Sequence, residues 1–425
     1  MPGKVVNFHP GPLRGSVDVP GDKSISHRAL IAAAATAAPL RIAHLNPGRD
    51  VCATRDALAA LGARIGIDGA DSVASGGRLA APQSTIDAMN SGSTARMVLG
   101  ACAGCKIRAR FDGDDSLRRR PMEPVAAQLR AFGARIQTSD GHLPLELFGT
   151  PEIQTRHFIL LAPSAQVKSA LLFAGLFAGV SVRIDGDRGS RDHTERLLHY
   201  LGAEIEWTEH SVCLGRAELD AKPIEVAGDF SAAAFFITAA AITPGSSIVL
   251  RGVGVNPRRI GLIEALTSMG AAIHLENLRE TSGEPVAEIA VEQRPLQPAA
   301  VGSEVALRAI DEIPLLAIAA AFAPGTTTIA GIGDLRAKES DRIAAIERLL
   351  GAVGIDATYE RAVLRVYGGT PVRRGLAVET HDDHRIAMAA AILACAAGPL
   401  AIDSDASIDV SFPDFTAALA RLQRA

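Results

Sequence analysis

The stretch DKSISHRALIAAAATAAPLRIAHL, residues 22–45, decides the fold because it recurs. It reads as a polar cluster, an Ala- and Leu-rich helix, a small-residue break and a short β-branched strand. The same order returns in NSGSTARMVLGACAGCKIRARFDG (90–113) and SAQVKSALLFAGLFAGVSVRIDGD (164–187). It returns again in DFSAAAFFITAAAITPGSSIVLRGV (229–253), DEIPLLAIAAAFAPGTTTIAGIGD (311–334) and HDDHRIAMAAAILACAAGPLAIDSD (381–405). The starts fall near residues 22, 90, 164, 229, 311 and 382, a period of about 70 residues.

A second element separates the copies: DALAALGARIGID, AQLRAFGARIQTS, RLLHYLGAEIEWT, IEALTSMGAAIHLE and IERLLGAVGIDATY. Each predicts an amphipathic helix closed by Gly and followed by an alternating strand. The sixth copy is cut short at LARLQRA. Helix and strand thus alternate through six units of βαβαββ type, an α/β chain, and two sets of three make two similar domains. A length of 425 residues also exceeds what one core usually serves. The expected boundaries are 21–223 for one domain and 1–20 plus 224–425 for a second, discontinuous one. The crossover is read in LDAKPIEVAGDFSAA (219–233).

Composition narrows the function. Charged residues are 21% and hydrophobic ones 48%, ordinary for a globular enzyme. A net charge of −4 argues against wholesale nucleic-acid binding, so cations must be concentrated locally. FILLAPSAQVKSALLFAGLFAGV, broken by Pro163, Gln166 and Lys168, reads as a loop and a buried helix, not a membrane span. The N-terminus shows no h-region or transit pattern. Five scattered cysteines, odd in number, suit a reducing compartment, so a cytoplasmic location is expected. The lone CxxC at Cys102 and Cys105 lacks a second pair or a His ligand and is read as core.

The apolar helices carry their polar residues at their N-terminal ends, where unpaired N–H groups and the macrodipole favour anions. Capping explains Ser24, Ser164 and Asp229. It does not explain Lys23 with Arg28, Lys168, or HDDHR at 381–385. The cations near these ends are Lys23, Arg28, Arg96, Arg120, Arg191, Lys338, Arg342 and Arg385; the carboxylates are Asp311, Glu339 and Asp383. That combination points to a substrate with phosphates and carboxylates, and to proton transfer.

PGDKSISHRA, NSGST, RRPMEP, SAQVKSA, SRDHTE, LRAKESDR, DDHRIAMA and SFPDF stand in the order of the 3-phosphoshikimate 1-carboxyvinyltransferase (EPSP synthase) family, which the chain resembles over residues 19–414. The resemblance implies transfer of an enolpyruvyl group from phosphoenolpyruvate to the 5-hydroxyl of shikimate 3-phosphate, in aromatic amino acid biosynthesis. It implies two domains, each with three βαβαββ units about a pseudo-threefold axis and the active site in the cleft between them. No metal, organic cofactor, nucleic acid or membrane is expected as a partner, and a monomer is expected.

Carried over motif by motif, Lys23, Ser24, Arg28, Ser164, Ala165, Gln166, Arg191, Asp311 and Lys338 would bind shikimate 3-phosphate. Lys23, Asn90, Gly92, Arg120, Gln166, Arg342, His384 and Arg385 would bind phosphoenolpyruvate. Asp311, Glu339 and Lys23 are the catalytic candidates: the 5-hydroxyl must lose a proton, and the methylene carbon must gain one and later return it. Asp383 is expected to orient Arg385 or His384. Arg348 reads as solvated, His381 and His384 lack a third metal ligand, and His27 has no assigned role.

Asp334, Arg191 and Val410 depart from the pattern of one branch, which places Asn, Tyr and Lys there. The sister family acting on UDP-N-acetylglucosamine pairs its early Lys with Asn and carries a loop Cys; here Ser24 follows Lys23, and FDGDDSLRRRPMEP has no Cys. A non-catalytic anion-binding repeat scaffold is the third reading. Gly92 also implies room for glyphosate, the family's competitor of phosphoenolpyruvate.

Overall fold

A computed structural model of the chain describes residues 6–68, 71–76, 79–216, 218–372 and 378–424. They form two compact units. The N-terminal unit comprises Gly21–Ala227 with the short segment Glu280–Glu284; the C-terminal unit comprises the residues up to Pro20, Gly228–Arg279 and those from Pro285 onward.

The repeat seen in the sequence is a repeat of sheets. In the N-terminal unit, Leu40–Ala43, Arg64–Asp68 and Asp71–Ser75 form an antiparallel set with the last strand in the middle, and Ile224–Glu225 lies parallel at the edge. Two further four-stranded sheets, built on Ala109–Asp112 and Val182–Asp185, have the same order. In the C-terminal unit, Ser247–Gly254 and Gly325–Ala330 centre two more. In the sixth copy, among the described residues, Leu400–Ile402 pairs antiparallel with Val6–Phe8 and makes a parallel bridge to Val378. The architecture is mixed α/β.

The parallel edge strands explain the double crossing. Arg14–Asp18 precedes the helix Lys23–Ala34 but pairs with Ser247–Gly254 of the C-terminal unit. Ile224–Glu225 precedes the helix Phe230–Ile242 but pairs with Leu40–Ala43 of the N-terminal unit. A parallel neighbour needs a crossover: the one from Arg14–Asp18 to Ser247–Gly254 runs through the whole N-terminal unit, whereas the one from Leu40–Ala43 to Ile224–Glu225 stays within that unit.

The three Ala-rich helices of each unit form its centre. Every residue of Phe230–Ile242 and Ile313–Ala321 is buried, and His384–Ala397 is buried almost throughout. These three pack on one another. Helices apolar on all sides belong inside a core, while the intervening ones, such as Glu123–Phe132, bury one stripe and close on a left-handed glycine, Gly133. In the N-terminal unit, Gly92–Cys105 packs along Ala165–Ala178 at backbone distance. A Cβ on Gly100 would stand 2.2 Å from the Ala170 carbonyl oxygen, and one on Gly104 2.5 Å from that of Ala174. Two glycines one turn apart therefore set the helix spacing. Gly100→Val is expected to destabilise the fold by about 3 kcal/mol through overpacking, read as a lower urea midpoint at unchanged slope; an unchanged midpoint would contradict this packing.

Candidate active site

The N-terminal unit gathers polar groups at the starts of three apolar helices. Asp22 caps Lys23–Ala34 by accepting from the Ile25 amide at 2.9 Å. This leaves Lys23 and Ser24, both half-buried, on the first turn. The Lys23 ammonium donates to Asp50 at 2.9 Å. One turn further in, the buried Arg28 guanidinium donates to Thr194 Oγ1 at 2.7 Å, to the Ser24 carbonyl at 2.8 Å and to Ser169 Oγ at 3.0 Å. All three partners are neutral. Burial lowers its pKa to about 10, against the raising effect of Glu195 and Asp22, and the nearby Arg191 charge pushes downward as well. Arg28 thus stays cationic at neutral pH, with a charge its hydrogen-bond partners do not neutralise.

Around Gly92–Cys105, capped by Ser91, the Asn90 side chain accepts from Arg120 at 2.6 Å and donates to Asp114 at 2.6 Å. Arg96 donates to Gln166 Oε1 at 2.7 Å, and Gln166 donates to Ser93 Oγ at 2.9 Å. Ser164, Ala165 and Gln166 open the third helix, with Ser164 as its cap. Arg191 is half-buried, just ahead of the helix His193–Tyr200.

Lys168 differs from the sequence expectation. It lies fully buried between Asp187 at 2.8 Å and Glu195 at 2.6 Å, so its charge is spent inside the unit.

The C-terminal unit holds a second cluster, richer in carboxylates. Asp311 stands 3.7 Å from Arg342 and 3.8 Å from both Lys338 and Arg385. Beside it the fully buried Glu312 accepts from both terminal nitrogens of Arg259, from Ser231 at 2.6 Å and from Arg385 at 3.4 Å. Arg385 also donates to Ser231 Oγ and to the Asp311 carbonyl. Arg342 donates to Glu339 at 2.6 Å and to Asp383 at 2.9 Å. Asp383 caps His384–Ala397 through the Arg385 amide and accepts from Ser340 at 2.9 Å. Its side chain therefore orients Arg342 and the helix start, while the Arg385 guanidinium, which the sequence also offered, turns to Ser231, Glu312 and the Asp311 carbonyl. His384 is buried and His381 is exposed, 3.8 Å from Glu379. Arg348 is exposed, Val410 half-buried, and Asp334 exposed in the short 3-10 turn Gly333–Ala337.

Asp50, Ser169, Thr194, Ser231, Arg259 and Glu312 are the polar groups that sequence reading passed over. Glu312 adjoins Asp311 and Ser169 follows Ala165 by one helical turn, which are usable signals. Arg259 lies outside every motif.

Burial alone would raise the Glu312 and Asp383 carboxyls. Arg259, followed by Arg385, outweighs it at Glu312, and Arg342 outweighs it at Asp383, so both lie below their ordinary values. A depressed folded pKa adds stability that is complete above the unfolded value of about 4 and is lost as pH falls through the folded one. Urea midpoints are thus expected to fall below about pH 4, and Glu312→Gln to weaken that dependence. Glu312→Ala, which strands Arg259, is expected to cost about 3–5 kcal/mol at neutral pH; a change under about 1 kcal/mol would contradict the pairing.

The family model "EPSP synthase (3-phosphoshikimate 1-carboxyvinyltransferase)" matches residues 8–419. The 3-phosphoshikimate 1-carboxyvinyltransferase of Pelotomaculum thermopropionicum is 44% identical over 420 residues, 96% of each chain. That of Acidiphilium cryptum is 43% identical, over 95% of this chain and 93% of its own. Among solved structures, EPSP synthase from Acinetobacter baumannii superposes with a TM-score of 0.86 at 37% identity, over 99% of this chain and 98% of the other. The enolpyruvyl transferase NikO from Streptomyces tendae shares the fold at 20% identity, with a TM-score of 0.79 over 99% and 98% of the two chains. Helix ends that concentrate cations in one unit and ion-paired carboxylates in the other are thus found in a chain matched almost from end to end, and it belongs to the 3-phosphoshikimate 1-carboxyvinyltransferase (EPSP synthase) family.

Proposed function

We propose that this chain transfers the enolpyruvyl group of phosphoenolpyruvate to the 5-hydroxyl of shikimate 3-phosphate, releasing phosphate, as a cytoplasmic monomer in aromatic amino acid biosynthesis. The observation that carries the residue assignment is Arg28: a buried cation on neutral partners, beside Lys23 and Ser24, suits a phosphate dianion. Ser164, Ala165, Gln166 and Arg191 complete the sugar-acid phosphate side. Asn90, Gly92 and Arg120, with Arg342, His384 and Arg385, take the phosphate and carboxylate of phosphoenolpyruvate. The unit Gly21–Ala227 with Glu280–Glu284, a few residues beyond the expected 223/224 boundary, is the shikimate-phosphate side, and the other unit the phosphoenolpyruvate side.

Asp311 takes the 5-hydroxyl proton. Lys338, Arg342 and Arg385 stand 3.7–3.8 Å from its carboxylate, which suits a base held among the substrate-binding cations. The oxygen then bonds to the enol carbon while the methylene carbon receives a proton from Glu339 or Lys23, giving a tetrahedral ketal. The new methyl group returns a proton to the same residue as the C–O bond to phosphate breaks, leaving the enol ether. Lys338 binds shikimate 3-phosphate beside Asp311.

Phosphate release from phosphoenolpyruvate that depends on shikimate 3-phosphate tests the reading. Release with UDP-N-acetylglucosamine instead, or with neither acceptor, overturns it. Asp311→Asn is expected to lower kcat by roughly 10²–10⁴ with an unchanged melting midpoint. Gly92→Ala places a Cβ 2.5 Å from the Arg96 guanidinium, displacing it from Gln166. A higher inhibition constant for glyphosate is expected, together with a higher KM for phosphoenolpyruvate; no change in either counts against the placement of Gly92.

A further inference from the structure

His27 has no part in the chemistry above, yet its ring is fully buried one residue from Arg28 and one turn from Lys23. Its Nδ1 lies 2.7 Å from Thr54 Oγ1, which lies 2.6 Å from Thr94 Oγ1. Thr94 Oγ1 reaches Ser91 Oγ at 2.8 Å and the Asp50 carbonyl at 3.3 Å. His27, Thr54, Thr94 and Ser91 are all buried. The hydrogen bonds cross three helices, Lys23–Ala34, Arg49–Ala60 and Gly92–Cys105. The shorter contact, to Ser91, takes the one Thr94 hydroxyl proton, and the Asp50 carbonyl stands beside it. Asp50 accepts from the Lys23 ammonium, and Ser91, between Asn90 and Gly92, is the cap of its helix.

Each hydroxyl has one proton, so the chain has a direction. With Nδ1–H as donor, His27 donates to Thr54, Thr54 to Thr94, and Thr94 to Ser91, whose oxygen also accepts the Thr94 amide at 3.2 Å. Nε2 is then a lone pair, and it is buried with no hydrogen-bond partner among the described residues. The opposite tautomer would leave an N–H orphaned there, and orphaned buried N–H groups are the rarer defect. A cationic ring is disfavoured further: burial first, then the Lys23 and Arg28 charges, hold its pKa well below the ordinary value despite Asp22.

We propose that His27 is a positioning residue: as the neutral Nδ1–H tautomer it heads a buried chain of hydroxyls that holds the Ser91 cap, and through it the Asn90–Gly92 turn. The proposal rests on the assignment of Asn90 and Gly92 to phosphoenolpyruvate.

The test uses the full chain. An Asn side chain places an N–H near the position of Nδ1, and Gln places one near Nε2; Thr94→Val keeps the shape and removes the hydroxyl. His27→Gln and Thr94→Val are expected to raise KM for phosphoenolpyruvate about tenfold with kcat within about threefold, a loss of binding and not of chemistry. His27→Asn is expected to stay within about threefold of wild type in both. Equal behaviour of Asn and Gln at position 27 overturns the proposal. So does a Thr94→Val variant whose melting midpoint falls while its KM values stay at wild type. Nitrogen-15 NMR of the labelled wild type reads the tautomer without any assay: Nδ1 protonated and Nε2 bare across the working pH range supports the proposal, and the reverse, or a titrating ring, overturns it. An inactive wild type with that NMR pattern overturns the proposed function and leaves the tautomer standing; an active wild type with unaffected variants overturns the role of His27.

Discussion

A helix with no polar face meets charged groups only at its ends, and six such helices organise this molecule. Each unit buries three of them, and charged side chains then have a place only on the first two turns and the preceding loop. Five of the six are capped by an Asp or Ser side chain: Asp22, Ser91, Ser164, Asp229 and Asp383. The sixth, Ile313–Ala321, is preceded by Glu312, whose carboxylate goes to Arg259 instead, with Pro314 on the first turn. The caps satisfy one or two of the open N–H groups, and the rest remain available to anions.

What separates the cation proposed to bind phosphate from a structural one here is the nature of its partners. Lys168 and Arg28 are both buried on or beside the same helices. Lys168 faces two carboxylates, whereas Arg28 faces two hydroxyls and a carbonyl. A cation already matched by carboxylates gains little from a phosphate, while one held by neutral dipoles gains much. Arg342 is the intermediate case: Asp383 and Glu339 hold it in place, and its remaining nitrogen turns toward Asp311. Such pairing holds a long side chain in one orientation before any substrate arrives, which favours a group that must meet a charge in a fixed position.

Local patterns were legible in the chain itself. The six-fold recurrence, the caps and the buried character of the Ala-rich helices follow from periodicity and composition, because these depend on neighbours within one or two turns. The mixed α/β class follows from them. The candidate residues were legible as motifs, since Lys23, Asn90, Gln166, Lys338 and Arg385 each stand at or beside a helix start. Partnerships were not. Arg28 finds Thr194 across 166 positions and Arg385 finds Ser231 across 154, and no local pattern encodes such distances.

The sequence by itself therefore determined where charge could sit: on the first two turns, and the loops ahead, of helices too apolar to carry it elsewhere. Tertiary structure alone decided which of those charges are neutralised. It matched Lys168 with Asp187 and Glu195, turned Asp383 to Arg342, left Arg28 among hydroxyls, and ran a buried hydrogen-bond chain from His27 to Ser91. The physical reason is range. Capping and amphipathicity act through residues a few positions apart, whereas desolvation and charge pairing depend on whatever the fold brings within a few ångströms.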